Sequence, residues 1–184
     1  HALIEQAKTL NRTLLTEVEA KALVQAAGIS VVRTELARTA EEAVSIARDV
    51  GLPVALKICS PDVAHKSDAG GVQLNLTSEE AVRDGFNAIT KSVQKAQPNA
   101  TLDGISVQPM APPGVEVIIG LTTDPQFGPL VMFGLGGVHV EVLKDVAFRL
   151  VPLNQYDAST MIREITGLPL LTGHRGQAAV DLTA

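Results

Sequence analysis

An α/β (α+β) fold of two lobes is predicted for this 184-residue chain. Helical and strand-like periods alternate as far as Gly104, and beyond it strand-like runs dominate until a final helix. Composition agrees: apolar residues make up 46 % and aromatics 3 %, with no Trp. Such a core rests on Val, Ile, Leu and Ala, the usual filling of α/β layers. Residues 1–15 are expected to form a lead-in helix and linker, 16–104 a first lobe and 105–184 a second. A cleft between lobes is a favoured ligand site.

The elements follow in order. Residues 1–12 form a short helical lead-in. Thr16 and Glu19 have the capping-box spacing, and Val18, Ala22, Leu23, Ala26 and Ala27 continue with a helical period until Gly28. Ile29 to Leu36 is predicted as a strand. Thr39 caps a helix that runs to Val50 and stops at Gly51, and a second strand covers Pro53 to Cys59. A loop from Ser60 to Gly71 leads into a strand from Val72 to Leu76. Ser78 caps a helix from Glu79 to about Ala96, and Ile105 to Met110 is a strand that opens the second lobe. After the Pro-Pro-Gly linker, strands are expected at Val115–Thr122, Pro129–Gly134, Val138–Leu143 and Phe148–Leu153, with a helix from about Tyr156 to Thr166.

The bulk numbers exclude several functions. A net charge of −5 gives no global attraction to nucleic acid, so anionic ligands must be held by local cations and backbone amides. No apolar run approaches the ~20 residues that span a bilayer, and no signal peptide opens the chain, so a cytoplasmic protein is expected. Cys59 is the one cysteine, and inside an apolar run it reads as a small buried hydrophobe. The chain begins with His1, as a fragment or a processed chain would.

The candidate chemistry centres on phosphate. Lys57 lies inside the strand Val54-Ala55-Leu56-Lys57-Ile58, where a charged amine is costly unless it is paired or reaches water. It either meets a phosphate in a cleft or snorkels to solvent from an edge strand. Gly70 and Gly71 before Val72 would let backbone amides approach phosphate oxygens, or would mark a plain turn. Neither a Walker A loop nor a dinucleotide fingerprint is present. His65 sharpens this segment, because a neutral imidazole attacks phosphorus near pH 7 and passes the group onward; simple surface exposure is its other reading. Gln108 and Met110 end a strand at the interlobe junction and could line a purine pocket, or merely connect. Glu116 and Glu141, on alternating strands, could hold Mg²⁺ or a ribose, or be solvated. Lys144 and Arg149 could add positive charge nearby, or be ordinary surface groups.

Together these segments resemble a known family. Pro53-Val54-Ala55-Leu56-Lys57-Ile58, Ser60-Pro61-Asp62, His65-Lys66-Ser67-Asp68 and Gly70-Gly71-Val72 are similar to the ATP-grasp signature of ADP-forming acetyl-CoA (acyl-CoA) synthetases. Gly114 to Gly120 and Phe133 to Gly137, continuing through Glu141 to Asp145 and Phe148 to Leu150, resemble the family's second lobe. The resemblance implies an ATP-grasp fold with nucleotide between its lobes, ATP/ADP with Mg²⁺ as cofactors, and a CoA-binding domain or subunit as partner, supplying acyl phosphate from acyl-CoA. By the same matching His65 would relay the phosphoryl group, Lys57 would bind nucleotide phosphate, and Gly70, Gly71 and Val72 would form the loop over it. Gln108 and Met110 would line the adenine site, and Glu116 and Glu141 would be polar cleft residues. The family's Mg²⁺ ligands are expected beyond Ala184, so the second lobe is expected to be incomplete and the isolated chain inactive. Two other readings stand beside this one: a non-catalytic regulatory part of a protein-lysine acetyltransferase, and an ATP-grasp ligase using free acyl phosphate, which needs no His65.

Overall fold

The computed structural model describes residues 2–63, 65–137, 144–174, 176 and 178–182. The chain divides into two compact units, His1–Pro112 and Pro113–Ala184.

The first unit opens with α1 (Ala2–Thr9) and α2 (Glu17–Ala26). Thr16 and Glu19 form the expected capping box, satisfying amides that the first helical turn would leave unpaired. Then come β1 (Glu35–Ala37), α3 (Ala40–Val50), β2 (Val54–Cys59), β3 (Val72–Leu76), α4 (Glu79–Ala96) and β4 (Gly104–Pro109). Thr39 and Ser78 cap α3 and α4 with their side chains, as their positions predict.

The four strands form an antiparallel sheet in the order β1-β4-β2-β3. Side chains alternate faces along a strand. Val54, Leu56 and Ile58 of β2 join Val44 and Ala47 of α3 and Val82, Phe86, Ile89 and Val93 of α4 in one core. Lys57 therefore stands on the other face of the same strand. There the register sets it opposite Ser106 on one side and Val72 on the other.

Two expectations need correction. The strand predicted from Ile29 to Leu36 is reduced to Glu35–Ala37. Continuing its register would set Arg33 against Pro109, which has no N–H to give the ladder. The boundary at Gly104 moves to Pro112. The strand assigned to the second lobe is β4, which lies between β1 and β2 with Ile105, Ser106 and Val107 fully buried. It belongs to the first core, and Met110, just after it, donates its amide to Pro53 O at 3.0 Å.

In the second unit, β5 (Val117–Asp124), β6 (Gly128–Leu135) and β7 (Val146–Leu150) make an antiparallel meander. The helices α5 (Gln155–Glu164) and α6 (Leu168–Thr172) follow. Phe133, Leu135 and Ala147 pack with Met161, Ile165 and Leu171. Asp145 accepts from the amides of Thr166 and Gly167 at 2.8 and 2.7 Å, which fixes the passage from α5 to α6. The strand expected at Val138–Leu143 lies outside the described residues.

Candidate functional site: a lysine cluster beside His65

The site is built on the face of the first sheet that carries Lys57. Glu17 is the first residue of α2, and the capping box holds that helical turn in place. A 2.7 Å ion pair of Glu19 with Arg12 braces it further. The Glu17 carboxylate divides between two lysines. Lys57 Nζ donates to Oε1 at 2.9 Å, and Lys66 Nζ donates to Oε2 at 2.9 Å. Lys21, one turn along α2, approaches Oε1 at 3.1 Å. Its ammonium also donates to Thr34 Oγ1 at 2.7 Å and to Gln108 Oε1 at 2.5 Å.

Burial opposes charge on Glu17, but hydrogen bonds from Lys66 and Lys57 outweigh it and hold the carboxyl down at about 2. It is therefore a carboxylate throughout the physiological range. Three ammonium groups meet one carboxylate, so the cluster keeps a positive surplus, the condition for attracting an anion.

The turn after β2 brings His65 to this cluster. Its ring is exposed and lines a cavity of about 600 Å³ together with Glu17, Lys57, Lys66, Ser67, Asp68 and Val72. Hydrogen bonds within the backbone close the turn: Gly70 N donates to Ser67 O at 3.0 Å and Gly71 N to Lys66 O at 2.7 Å. The paired glycines thus do something other than offer amides to a ligand. Gly70 adopts φ +67°, and a Cβ on Gly71 would lie 2.5 Å from Ile58 Cγ2 and 2.9 Å from Lys66 O. They let the turn fold tightly against β2.

The other predicted residues fall as follows. Gln108 shares the sheet face of Lys57, with its amide oxygen taken by Lys21 and Thr34. Met110 is half-buried at the end of β4. Glu116 belongs to the second unit, is exposed, and accepts at its backbone oxygen from Gly136 N at 2.7 Å. Glu141 lies outside the described residues. Arg149 is engaged by Glu164 through both arms of its guanidinium. Cys59 is buried as expected, and burial pushes its thiol up. Glu17, Lys21 and Thr34 were not foreseen. Glu17 and Lys21 have the i,i+4 spacing of an ordinary helix-surface pair, and nothing local points 40 residues onward to Lys57.

Comparison with known proteins identifies the family of the chain. The sequence matches the ATP-grasp domain family over residues 6–184. The chain belongs to the ATP-grasp family. Within it, the chain is 48 % identical over 182 residues to the beta subunit of ADP-forming acetate–CoA ligase I from Pyrococcus furiosus, covering 99 % of this chain and 78 % of that subunit. The ATP-grasp chain also superposes on acetyl-coenzyme A synthetase 1 of Candidatus Korarchaeum cryptofilum, bound to coenzyme A, Ca-AMPCP and HgCl⁺. The TM-score is 0.95 and the identity 53 %, over 98 % of this chain and 79 % of that one. Two further structures of that synthetase match at TM-scores of 0.88 and 0.83, with 50 and 49 % identity, 98 % of this chain in each case and 79 and 78 % of theirs. One holds a phosphorylated phosphohistidine segment in its site I orientation. The other, with coenzyme A and Mg-AMPPCP, has that segment pointing towards the nucleotide-binding site. This is the beta-subunit-like ATP-grasp part of an ADP-forming acyl-CoA ligase.

Proposed function

We propose that His65 carries a phosphoryl group between a CoA-binding partner and ADP. The observation that carries this reading is the placement of an exposed imidazole beside Lys57 and Lys66 in one cavity. The relatives' phosphohistidine segment supports it. In the ATP-forming direction the N–P bond of phosphorylated His65 breaks as the terminal oxygen of ADP forms a new O–P bond. The imidazole nitrogen keeps the electron pair. Lys57 and Lys66 neutralise the oxygens of the group in flight, and holding donor and acceptor in line does the rest.

The nucleotide phosphates would lie along Lys57 and Val72, beneath the turn closed by Gly70 and Gly71. Gln108 and Met110 would border the adenine, with the Gln108 –NH₂ group left to meet a base edge. Glu116 and Glu141 would be polar contacts of the nucleotide. Bound Mg²⁺ would neutralise phosphate charge. Among the described residues no group of three or more His, Cys, Asp or Glu could hold a metal, so no ligand is assigned. The partner would make acyl phosphate from acyl-CoA and phosphate, in the cytoplasm. No described helix is long and apolar enough to cross a membrane.

The test uses the complete protein with its CoA-binding part. Labelled ATP and Mg²⁺ should place an acid-labile label on His65, and His65→Ala should abolish acyl-CoA-dependent ATP formation. Unchanged turnover in His65→Ala would remove the relay.

A further inference from the structure

We propose that Glu17 is a positioning residue for the relay: by holding Lys66, its carboxylate seats the His65 turn over Lys57. The inference rests on the relay reading of His65. Lys66 directly follows His65, so tethering its ammonium restrains the stretch of backbone that carries the imidazole. The same carboxylate holds Lys57, one oxygen for each lysine, and so sets the spacing between the carrier turn and the strand cation. Glu17 is itself anchored, at the capped first turn of α2 that Arg12 and Glu19 brace.

The donors show that the clamp leaves room for a ligand. An ammonium has three N–H groups. Lys21 spends all of its own on Glu17, Thr34 and Gln108, so it is a brace. Lys57 and Lys66 each donate to Glu17 and, among the described residues, to nothing else. Two N–H groups on each remain for phosphate oxygens, beside a cavity that His65 also lines. A carboxylate that merely occupied the phosphate position would have to leave when phosphate arrived; this one can stay. It holds the two cations close together while the incoming group takes the unspent donors.

The experiment measures single-turnover labelling of His65 by labelled ATP in the complete enzyme, alongside ADP affinity. Glu17→Gln keeps the shape of the side chain and removes the charge. Labelling should slow by roughly 10–100-fold, the penalty of a misplaced reacting group, while the Kd for ADP moves by less than about threefold. Lys66→Met removes the loop end of the clamp together with a phosphate donor, and should slow labelling at least as much as Glu17→Gln. The double variant should be no slower than the slower single variant, as for two residues acting through one contact. Unchanged labelling in Glu17→Gln overturns the proposal. So does ADP affinity that falls in step with labelling, the mark of a merely structural residue, and so do effects of the two substitutions that multiply. A wild-type enzyme that takes no label on histidine would instead defeat the relay reading beneath it.

Discussion

Charged side chains gather in both units, with opposite accounting. In the second unit the guanidinium of Arg149 is matched to the carboxylate of Glu164, with Thr160 and the Phe148 carbonyl taking remaining donors. Asp145 spends its two oxygens on two backbone amides. In the first unit three ammonium groups share the carboxylate of Glu17, and two of them keep donors in reserve. Matched charges brace a fold. A half-buried surplus of one sign with unspent donors is costly to maintain and marks a place where a ligand completes the set.

Lys57→Met gives the widest expected gap between the two regions. It should cut nucleotide-dependent turnover by roughly 100-fold or more, the usual loss when one phosphate-neutralising donor is removed, while stability changes by less than about 1 kcal/mol. Steady-state kinetics and a denaturant midpoint on the same preparation read both. Equal losses of turnover and stability would make Lys57 another brace.

Asp145→Ala should behave the opposite way. Two amides at the α5–α6 passage lose their acceptor, costing about 1–2 kcal/mol of stability in urea, with turnover per folded molecule unchanged.

The smallest effect is expected in acid. The carboxyl of Glu17 is held at about 2, below its ordinary 4.5, so its contribution is complete above pH 4.5 and is lost as pH falls towards 2. Stability of the wild type should decline through that window, and Glu17→Gln should show a shallower slope there. Parallel slopes would mean that the clamp does not form in solution.

Much of the fold could be read along the chain because its signals are local. Thr16, Thr39 and Ser78 announce helix starts through side chains that need only reach three residues ahead. The Ile29–Leu36 strand fails for a non-local reason, since the missing donor belongs to Pro109 on a strand more than 70 residues away. The lobe boundary fails similarly: composition changes near Gly104, but β4 is claimed by partners on both sides. In the site, Lys57 stood out as a charge in an apolar strand and His65 as an imidazole beside paired glycines. Glu17 did not, because an acidic residue in the first turn of a helix is already explained by the helix dipole. Its second role exists only once β2 and the His65 turn arrive beside it.

The closure of the turn at residues 65–71 has a mechanical consequence. Because Gly70 and Gly71 spend their amides on Ser67 and Lys66 within the turn, the segment is a small ring that carries its own fastening. Lifting it off the sheet strands neither of these two amides. Its backbone moorings to the sheet include a rung from Ile58 N to Gly71 O, at the rim of the ring. His65 is thus presented at the open end of a self-fastened turn, seated on the sheet by that rung and by Ala69, whose side chain is buried in the first core.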